Sequence, residues 1–453
     1  MNLKTLATDD DPGPPRAAGG STVEVVTFGC RLNAYESEVI RRHAEEAGLA
    51  QTVIVNTCAV TGEAERQVRQ TLRRLRRERP QARIVVTGCA AQIAPERYAA
   101  MPEVDAVWGN REKLAAPTFT APAATAPRIQ VGTTDALAQT PRPPLLTGFE
   151  GRVRAFVQVQ QGCDHHCTFC IIPQGRGRSR SLEPQTVVAQ VRRLVAGGYG
   201  EVVLSGVDIA SYGDDFSAPL PLGQLVRQVL AAVPELPRLR LSSLDPAALD
   251  ETLWAVLADE PRLMPHLHLS VQAGDDLILK RMRRRHDRAA VLAIADRARA
   301  VRPDVTLGAD LIAGFPTEDE AQFAATLALV AEAELTWLHV FPYSPRPGTP
   351  AARMPAVPTA LRRERAARLR QAGESAVAAH GAAMQGRVLP VLMETPERGR
   401  SEFYAEVVVS PPQSPGDFVP VAMTGFAEGR LRGEVMATDA AAASDLAGAF
   451  HRS

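Results

Sequence analysis

Cys163, Cys167 and Cys170 stand in the run QGCDHHCTFC, spaced C-x3-C-x2-C, with two histidines between the first pair. Three thiolates on one short loop can bind a metal at little cost in chain entropy. Zinc would want a fourth ligand, which His165 or His166 could supply. A 4Fe–4S cube also needs four ligands, so three cysteines would leave one iron open to a substrate or cofactor. Buried structural thiols are the third reading. The spacing favours the iron–sulfur site.

The remaining cysteines, Cys30, Cys58 and Cys89, each end a short apolar run: VEVVTFGC, TVIVNTC and RIVVTGC. In a parallel sheet the C-terminal ends of all strands lie on one edge, so three thiols from three strand ends would converge. Cysteine is also a small, frequently buried residue that could end strands by chance. Its recurrence on three successive strands makes a second three-thiol site the expectation, and the 6 cysteines are then all used.

These sites need a scaffold. Apolar runs at 23–28, 52–56, 83–88 and 105–109, alternating with helical stretches at 35–48 and 63–79, predict a doubly wound parallel-sheet domain over 21–115. The Pro-, Ala- and Thr-rich segment 116–148 has linker composition. Six further runs (154–160, 201–205, 238–243, 266–271, 305–312 and 337–341) each lead into helical character. They predict a partial (β/α)6 barrel over 149–380, with its site at the C-terminal strand ends. After an Arg- and Ala-rich helix at 359–385, short alternating runs predict a small antiparallel β-barrel over 381–440. Residues 1–20 read as a disordered tail and 441–453 as a loose one. The fold class is α/β.

Composition sets bounds on function. Apolar content of 45% and charged content of 23% are those of an ordinary soluble protein. Lys+Arg 51 against Asp+Glu 51 leaves a formal charge of zero, so any nucleic-acid role must come from local patches. There is no signal-peptide core and no membrane-length apolar run, which predicts a cytoplasmic protein with reduced thiols. Metal binding is then a better use of the cysteines than disulfides.

Three basic patches qualify. The stretch AERQVRQTLRRLRRERP (64–80) carries seven arginines, with Arg66, Arg69, Arg73 and Arg76 on one helical face opposite Val68, Leu72 and Leu75. Arginine forks suit phosphates and unpaired bases, but a solvated helix face is the plain alternative. RGRSRS, with Arg176, Arg178 and Arg180, follows the cysteine loop directly, where a substrate role is better favoured. KRMRRRHDR (280–288) is the third patch.

GCDHHCTFCIIPQGRGRSRS (162–181) closely resembles the signature of radical S-adenosylmethionine (SAM) enzymes. TFGCRLNAYESE, VNTCAVTGEAERQVRQ and VVTGCAAQ are similar to the cluster motifs of the methylthiotransferases, and LIAGFPTEDE and LHVFPYSPRPGTPAARMP to the later part of their catalytic domain. The C-terminal strands resemble, more weakly, the TRAM RNA-binding module. The resemblance spans roughly 22–436, and GCRLNAYESE with NTCAVTGEAERQVRQ favours the MtaB branch.

That resemblance implies two 4Fe–4S clusters, one on Cys163, Cys167 and Cys170 that binds SAM, the other on Cys30, Cys58 and Cys89 that carries the sulfur. It implies a 5′-deoxyadenosyl radical, two SAM molecules per turnover and no acid–base pair, since an aromatic C–H has no acidic proton to remove. His165 and His166 would then be loop residues. Phe169 would lie near the adenine or simply pack beneath the loop; Ser205, Gly206, Ser242, Ser243 and Gln272 would face SAM or cap loops. The implied substrate is N6-threonylcarbamoyladenosine beside the tRNA anticodon, methylthiolated at carbon 2. Related branches act instead on isopentenyl-adenosine or a ribosomal-protein aspartate. A zinc-stabilised RNA-binding protein is the non-catalytic alternative. A reductant such as flavodoxin or ferredoxin and a monomeric state complete the expectation.

Overall fold

The structure, a computed structural model, describes residues 23–122, 126–140 and 142–436. The tails read at 1–20 and 441–453 lie outside the described residues. Among the described residues the N-terminal sheet consists of β1 (Val23–Thr27), β2 (Thr52–Thr57), β3 (Arg83–Gly88), β4 (Ala106–Trp108) and β5 (Ile129–Gln130). All pair in parallel, in simple sequential order.

Strand alternation explains the layers. Ile54, Val85 and Ala106 face one way and pack on Ile40 and Ala44 of the helix Arg31–Glu46. Val53, Val55, Ile84 and Val86 face the other way, onto Val68, Leu72 and Leu75 of the helix Gly62–Glu78. Helices thus cover both faces, as the sequence pattern predicts. The segment 116–148 is more than a linker, because it supplies β5: Gly109 N donates to Gln130 O at 2.8 Å. A two-residue strand carries no periodicity to read.

The central domain holds β6 (Arg154–Gln158), β7 (Gln160–Gln161), β8 (Arg180–Ser181), β9 (Glu201–Ser205), β10 (Arg238–Leu241), β11 (His266–Gln272), β12 (Thr306–Ala313) and β13 (Leu335–Pro342). Among the described residues, parallel sheets β10-β9-β6 and β11-β12-β13 are joined through the bridges Leu239–Leu263 and Leu244–Leu269. The result is the open six-stranded barrel. Leu267, Leu269, Val271, Leu307, Ala309 and Leu311 point outward into the main core with the surrounding helices. By alternation His266, His268 and Asp310 point into the lumen. Ala34, Tyr35 and Val39 of the first helix share that core, so the N-terminal domain is packed against the barrel.

The helix Thr359–Met384 leads to β14 (Val388–Thr395), β15 (Arg398–Ser401), β16 (Glu406–Ser410), β17 (Phe418–Ala427) and β18 (Arg430–Val435), a closed barrel in the order β14-β15-β16-β18-β17. One pair, β16 with β18, is parallel, which corrects the purely antiparallel expectation. A closed ring with an odd number of strands cannot alternate direction throughout. This small barrel seals the N-terminal end of the large one. Arg238 Nη1 donates to Arg400 O (3.1 Å), Arg240 Nη2 to Ser401 O (2.7 Å), and Trp337 Nε1 to Phe403 O (3.0 Å). Tyr404 stacks on His266 with ring centroids 4.7 Å apart, forming the floor of the lumen.

Candidate functional site

Cys58 and Cys89 directly follow β2 and β3, and Cys30 lies just beyond β1, so the parallel edge gathers all three. Two glycines permit the approach. Gly29 has φ 101°, and a Cβ there would lie 2.9 Å from Cys58 Sγ; Gly88 has φ 95°, and its Cβ would meet the Thr57 backbone at 2.4 Å. Asn33 Nδ2 ties the exits of β1 and β2 together by donating to Phe28 O (2.6 Å) and Thr57 O (3.1 Å). Burial pushes the Cys58 thiol up to about 12, and the adjacent Cys30 and Cys89 add to the rise. Thiols gathered so that two of them disfavour the Cys58 thiolate are a donor set suited to a multiply charged cation, which would reverse that penalty.

The second triad lies on the loop between β6 and β8, pinched by the antiparallel β7–β8 pair. Gly162 (φ 71°) makes the turn; a Cβ there would sit 1.8 Å from Arg178 O. Buried Thr168 anchors the loop: its N–H donates to Met282 O (3.0 Å), its hydroxyl to Arg281 O (2.8 Å), and its carbonyl accepts from Ala351 N (2.9 Å). Burial raises Cys163 to about 12 and Cys170 to about 11, and the sibling thiols contribute to both. Cys89 of the first triad also raises Cys170, so the two triads are electrostatic neighbours. Both donor sets therefore fit a cluster held by three thiolates.

Arg176 was expected to meet RNA. It is instead 2% exposed and braces the first triad. Its Nε donates to Cys89 Sγ at 3.2 Å, its Nη1 to Glu36 Oε1 at 2.7 Å, and its Nη2 to Asn33 Oδ1 at 2.7 Å. Lys113 Nζ donates to the other Glu36 oxygen at 2.6 Å. Burial alone would raise the Glu36 carboxyl, but Arg176 and Lys113 outweigh it and hold it at about 2. A residue just after the cysteine loop is thus locked into the N-terminal domain through a buried ion cluster.

Sequence reasoning gave no role to Asn33 and Glu36, although both lie in the TFGCRLNAYESE motif at i, i+3 spacing, and it missed Lys113, which leaves no local pattern. In the 280–288 patch several arginines turn to the protein itself. Arg284 Nη1 donates to Cys167 Sγ (3.6 Å) and Nη2 lies 3.2 Å from Asp245 Oδ2; Arg285 reaches the same oxygen at 3.3 Å. Arg288 Nη1 donates to the carbonyls of Gly274 and Ala325. These arginines serve the protein's own carboxylates and carbonyls.

Phe169 is partly buried and packs against the cluster that contains Ala273, Ile278, Leu279 and Met282. His165 Nε2 lies 2.8 Å from Asp208 Oδ2, with Cys163 Sγ close by. Ser205, Gly206, Ser242, Ser243 and Gln272 lie at or just beyond the C-terminal ends of β9, β10 and β11, on the rim that carries the loop. Gln160 Oε1 accepts from the backbone N–H groups of Val207 (3.0 Å) and Asp208 (2.9 Å), and a Cβ at Gly206 would lie 2.8 Å from Gln160 O. Ser242 Oγ is buried and has no partner among the described residues.

The other arginines divide by exposure. Arg66 pairs with Glu63 (2.7 Å), Arg69 with Glu65 (3.9 Å), Arg73 with Glu103 (3.9 Å) and Arg76 with Asp105 (2.6 Å). Glu65 also contacts Arg97 and Arg346. Arg178 is 86% exposed, and with Arg180 it lines a cleft of about 620 Å³ shared with Asp164, His165, Ser179 and Ser211.

Residues 157–330 match the radical SAM superfamily and residues 22–109 the uncharacterized protein family UPF0004. The threonylcarbamoyladenosine tRNA methylthiotransferase MtaB of Rickettsia prowazekii is 47% identical over 90% of this chain and 96% of its own. MtaB of Thermotoga maritima is 37% identical over 76% and 80%. A tRNA-2-methylthio-N(6)-dimethylallyladenosine synthase of Maricaulis maris is 36% identical over 86% and 91%. Among solved structures, the radical SAM methyltransferase TsrM of Kitasatospora setae superposes with a TM-score of 0.53 at 15% identity, over 74% of this chain and 77% of that one, a likeness of fold. The barrel, the loop triad and the degree of identity agree: this chain belongs to the MtaB family of radical SAM methylthiotransferases, enzymes that use SAM and a 4Fe–4S cluster.

Proposed function

We propose that the protein methylthiolates carbon 2 of N6-threonylcarbamoyladenosine at position 37 of tRNA, with two SAM molecules and two 4Fe–4S clusters. In this reading Cys163, Cys167 and Cys170 hold the SAM-binding cluster, and Cys30, Cys58 and Cys89 hold an auxiliary one. The observation that carries it is the pairing of two three-thiol sites, with the segment just after Cys170 laid against Cys89: Arg176 Nε donates to Cys89 Sγ at 3.2 Å, and a Cβ at Gly175 would lie 3.4 Å from Cys89 Cβ. When bound, the clusters and SAM supply the electron, the radical, the sulfur and the methyl group.

The chain's own residues hold and orient. Thr168 fixes the loop, Arg284 places a positive charge beside Cys167, and Arg176 does the same for Cys89. Ser205, Gly206, Ser242, Ser243 and Gln272 form the SAM rim, with backbone groups around Gly206 making the close approach. Arg178, 86% exposed although 3.4 Å from Asp164, and Arg180 meet the anticodon loop at the cleft they line, and Arg66, Arg69, Arg73 and Arg76, paired with carboxylates outside that cleft, make weaker contacts. The enzyme works as a cytoplasmic monomer with a flavodoxin- or ferredoxin-type reductant; no described helix is long and apolar enough to cross a membrane.

Nucleoside mass spectrometry of tRNA from a deletion strain, with and without the gene restored, tests the substrate. The methylthiolated threonylcarbamoyl nucleoside should vanish on deletion and return on complementation. Its persistence, or loss of the isopentenyl counterpart instead, rejects the assignment.

A further inference from the structure

The lumen between the thiol loop and the Tyr404 floor contains a group that neither thiol site uses. Asp310 Oδ1 lies 3.1 Å from His268 Nε2 and 3.1 Å from His339 Nδ1. An ionised carboxylate only accepts, so the ring nitrogens facing it carry their protons. His268 is buried, whereas the His339 side chain is 38% exposed although it lies on a barrel strand. Its Nε2 has no protein partner among the described residues. The lumen is therefore open above His339.

Arg31 reaches the same space from the N-terminal domain. It directly follows Cys30, and its Nη2 donates to Tyr404 Oη at 2.7 Å. That is its one side-chain hydrogen bond among the described residues; its guanidinium also lies 5.7 Å from the Tyr404 ring centroid, and no carboxylate pairs with it there. The contrast with its neighbours is sharp: Arg154 and Arg400 meet Glu394, and Arg240 meets Glu201. A half-buried guanidinium with spare donors, within electrostatic reach of a histidine whose open Nε2 donates once the ring is the imidazolium that Asp310 favours, is a site for an oxyanion.

We propose that Arg31 and His339 form a carboxylate-binding subsite, and that it takes the carboxylate of the substrate's threonylcarbamoyl group. The inference rests on the substrate reading above and adds the residues that select it. An isopentenyl group is an uncharged hydrocarbon; docking it here would leave Arg31 desolvated and unpaired, so the subsite also rejects that nucleoside. Asp310 acts as a positioning residue that fixes the ring of His339.

The test uses the full-length holoenzyme, assayed anaerobically on one tRNA carrying threonylcarbamoyladenosine and on the same tRNA with that carboxylate blocked as its methyl ester. The wild type should prefer the free acid by about 10- to 100-fold in kcat/KM, the range a charged hydrogen bond commands. Arg31→Gln should bring that ratio close to one while iron and sulfide per chain stay at the wild-type level. Arg31→Lys should keep part of the preference, and His339→Gln should reduce it less than Arg31→Gln does. An Arg31→Gln enzyme that still discriminates acid from ester as the wild type does overturns the subsite, as does a wild type that uses both equally. A wild-type holoenzyme inactive on both tRNAs overturns the substrate reading itself, a result distinct from either.

Discussion

The two thiol triads reach similar donor sets by opposite routes. Cys163, Cys167 and Cys170 come from one loop, closed by the β7–β8 pair and anchored through Thr168. Cys30, Cys58 and Cys89 come from three strand ends and meet only because the sheet is parallel and the domain is folded. The loop triad is braced mainly from within its own domain, by Arg284 and Asp245. The strand-end triad borrows Arg176 from just after the cysteine loop and balances it on Glu36 and Lys113. A local motif can carry its own geometry, whereas a dispersed one depends on tertiary packing, here across a domain boundary.

Removing one thiol from each triad should give the largest effect and the cleanest contrast. Cys58→Ala and Cys167→Ala should each lower iron in anaerobically reconstituted protein from about 8 to about 4 per chain, and both should abolish methylthiolation. Two zinc ions and no sulfide in the wild type would instead reject clusters at both sites.

Next comes the brace. Arg176→Met leaves Glu36 buried with Lys113 alone, and breaking such a pair costs about 3–5 kcal/mol. Denaturant unfolding should show that loss, along with iron missing from the strand-end triad. Arg284→Met should cost less, about 1–3 kcal/mol, because Asp245 keeps Arg285 and His286. Equal losses would erase the proposed asymmetry.

A pH profile sharpens the same contrast. The Glu36 carboxyl is held at about 2, below its ordinary 4.5. Its contribution is fully present above 4.5 and fades as pH falls toward about 2. In unfolding measurements over that window, Glu36→Gln should show a flatter dependence than the wild type. Parallel profiles would remove Glu36 from the account.

The smallest effects belong to the surface arginines. Arg178→Ala should raise KM for tRNA by about 3- to 10-fold and reduce the salt dependence of binding by about one ion. Arg66→Ala, already paired with Glu63, should change both by clearly less in the same series. A larger effect at Arg66 would move the RNA path onto the N-terminal helix.

Much of this was legible in the sequence because it is local. The cysteine loop is a contiguous motif, and the strand-end cysteines follow apolar runs whose period survives without tertiary information. Arg176 was not legible: a charge in an RGRSRS run reads as solvent-facing, and only the domain contact with Glu36 buries it. Two-residue β5 and the parallel β16–β18 pair escaped for a related reason, since pairing partners far apart in sequence decide them. Arg31 and His339 stand 308 positions apart by subtraction of their residue numbers, and nothing near either one announces the other.

The central claim is a division of labour between the triads, and SAM cleavage measures it most directly. Cys58→Ala and Cys167→Ala are incubated with SAM and dithionite, and 5′-deoxyadenosine is quantified. The account predicts that Cys58→Ala still forms 5′-deoxyadenosine while Cys167→Ala forms none. Cleavage by Cys167→Ala, or its loss only in Cys58→Ala, would contradict it.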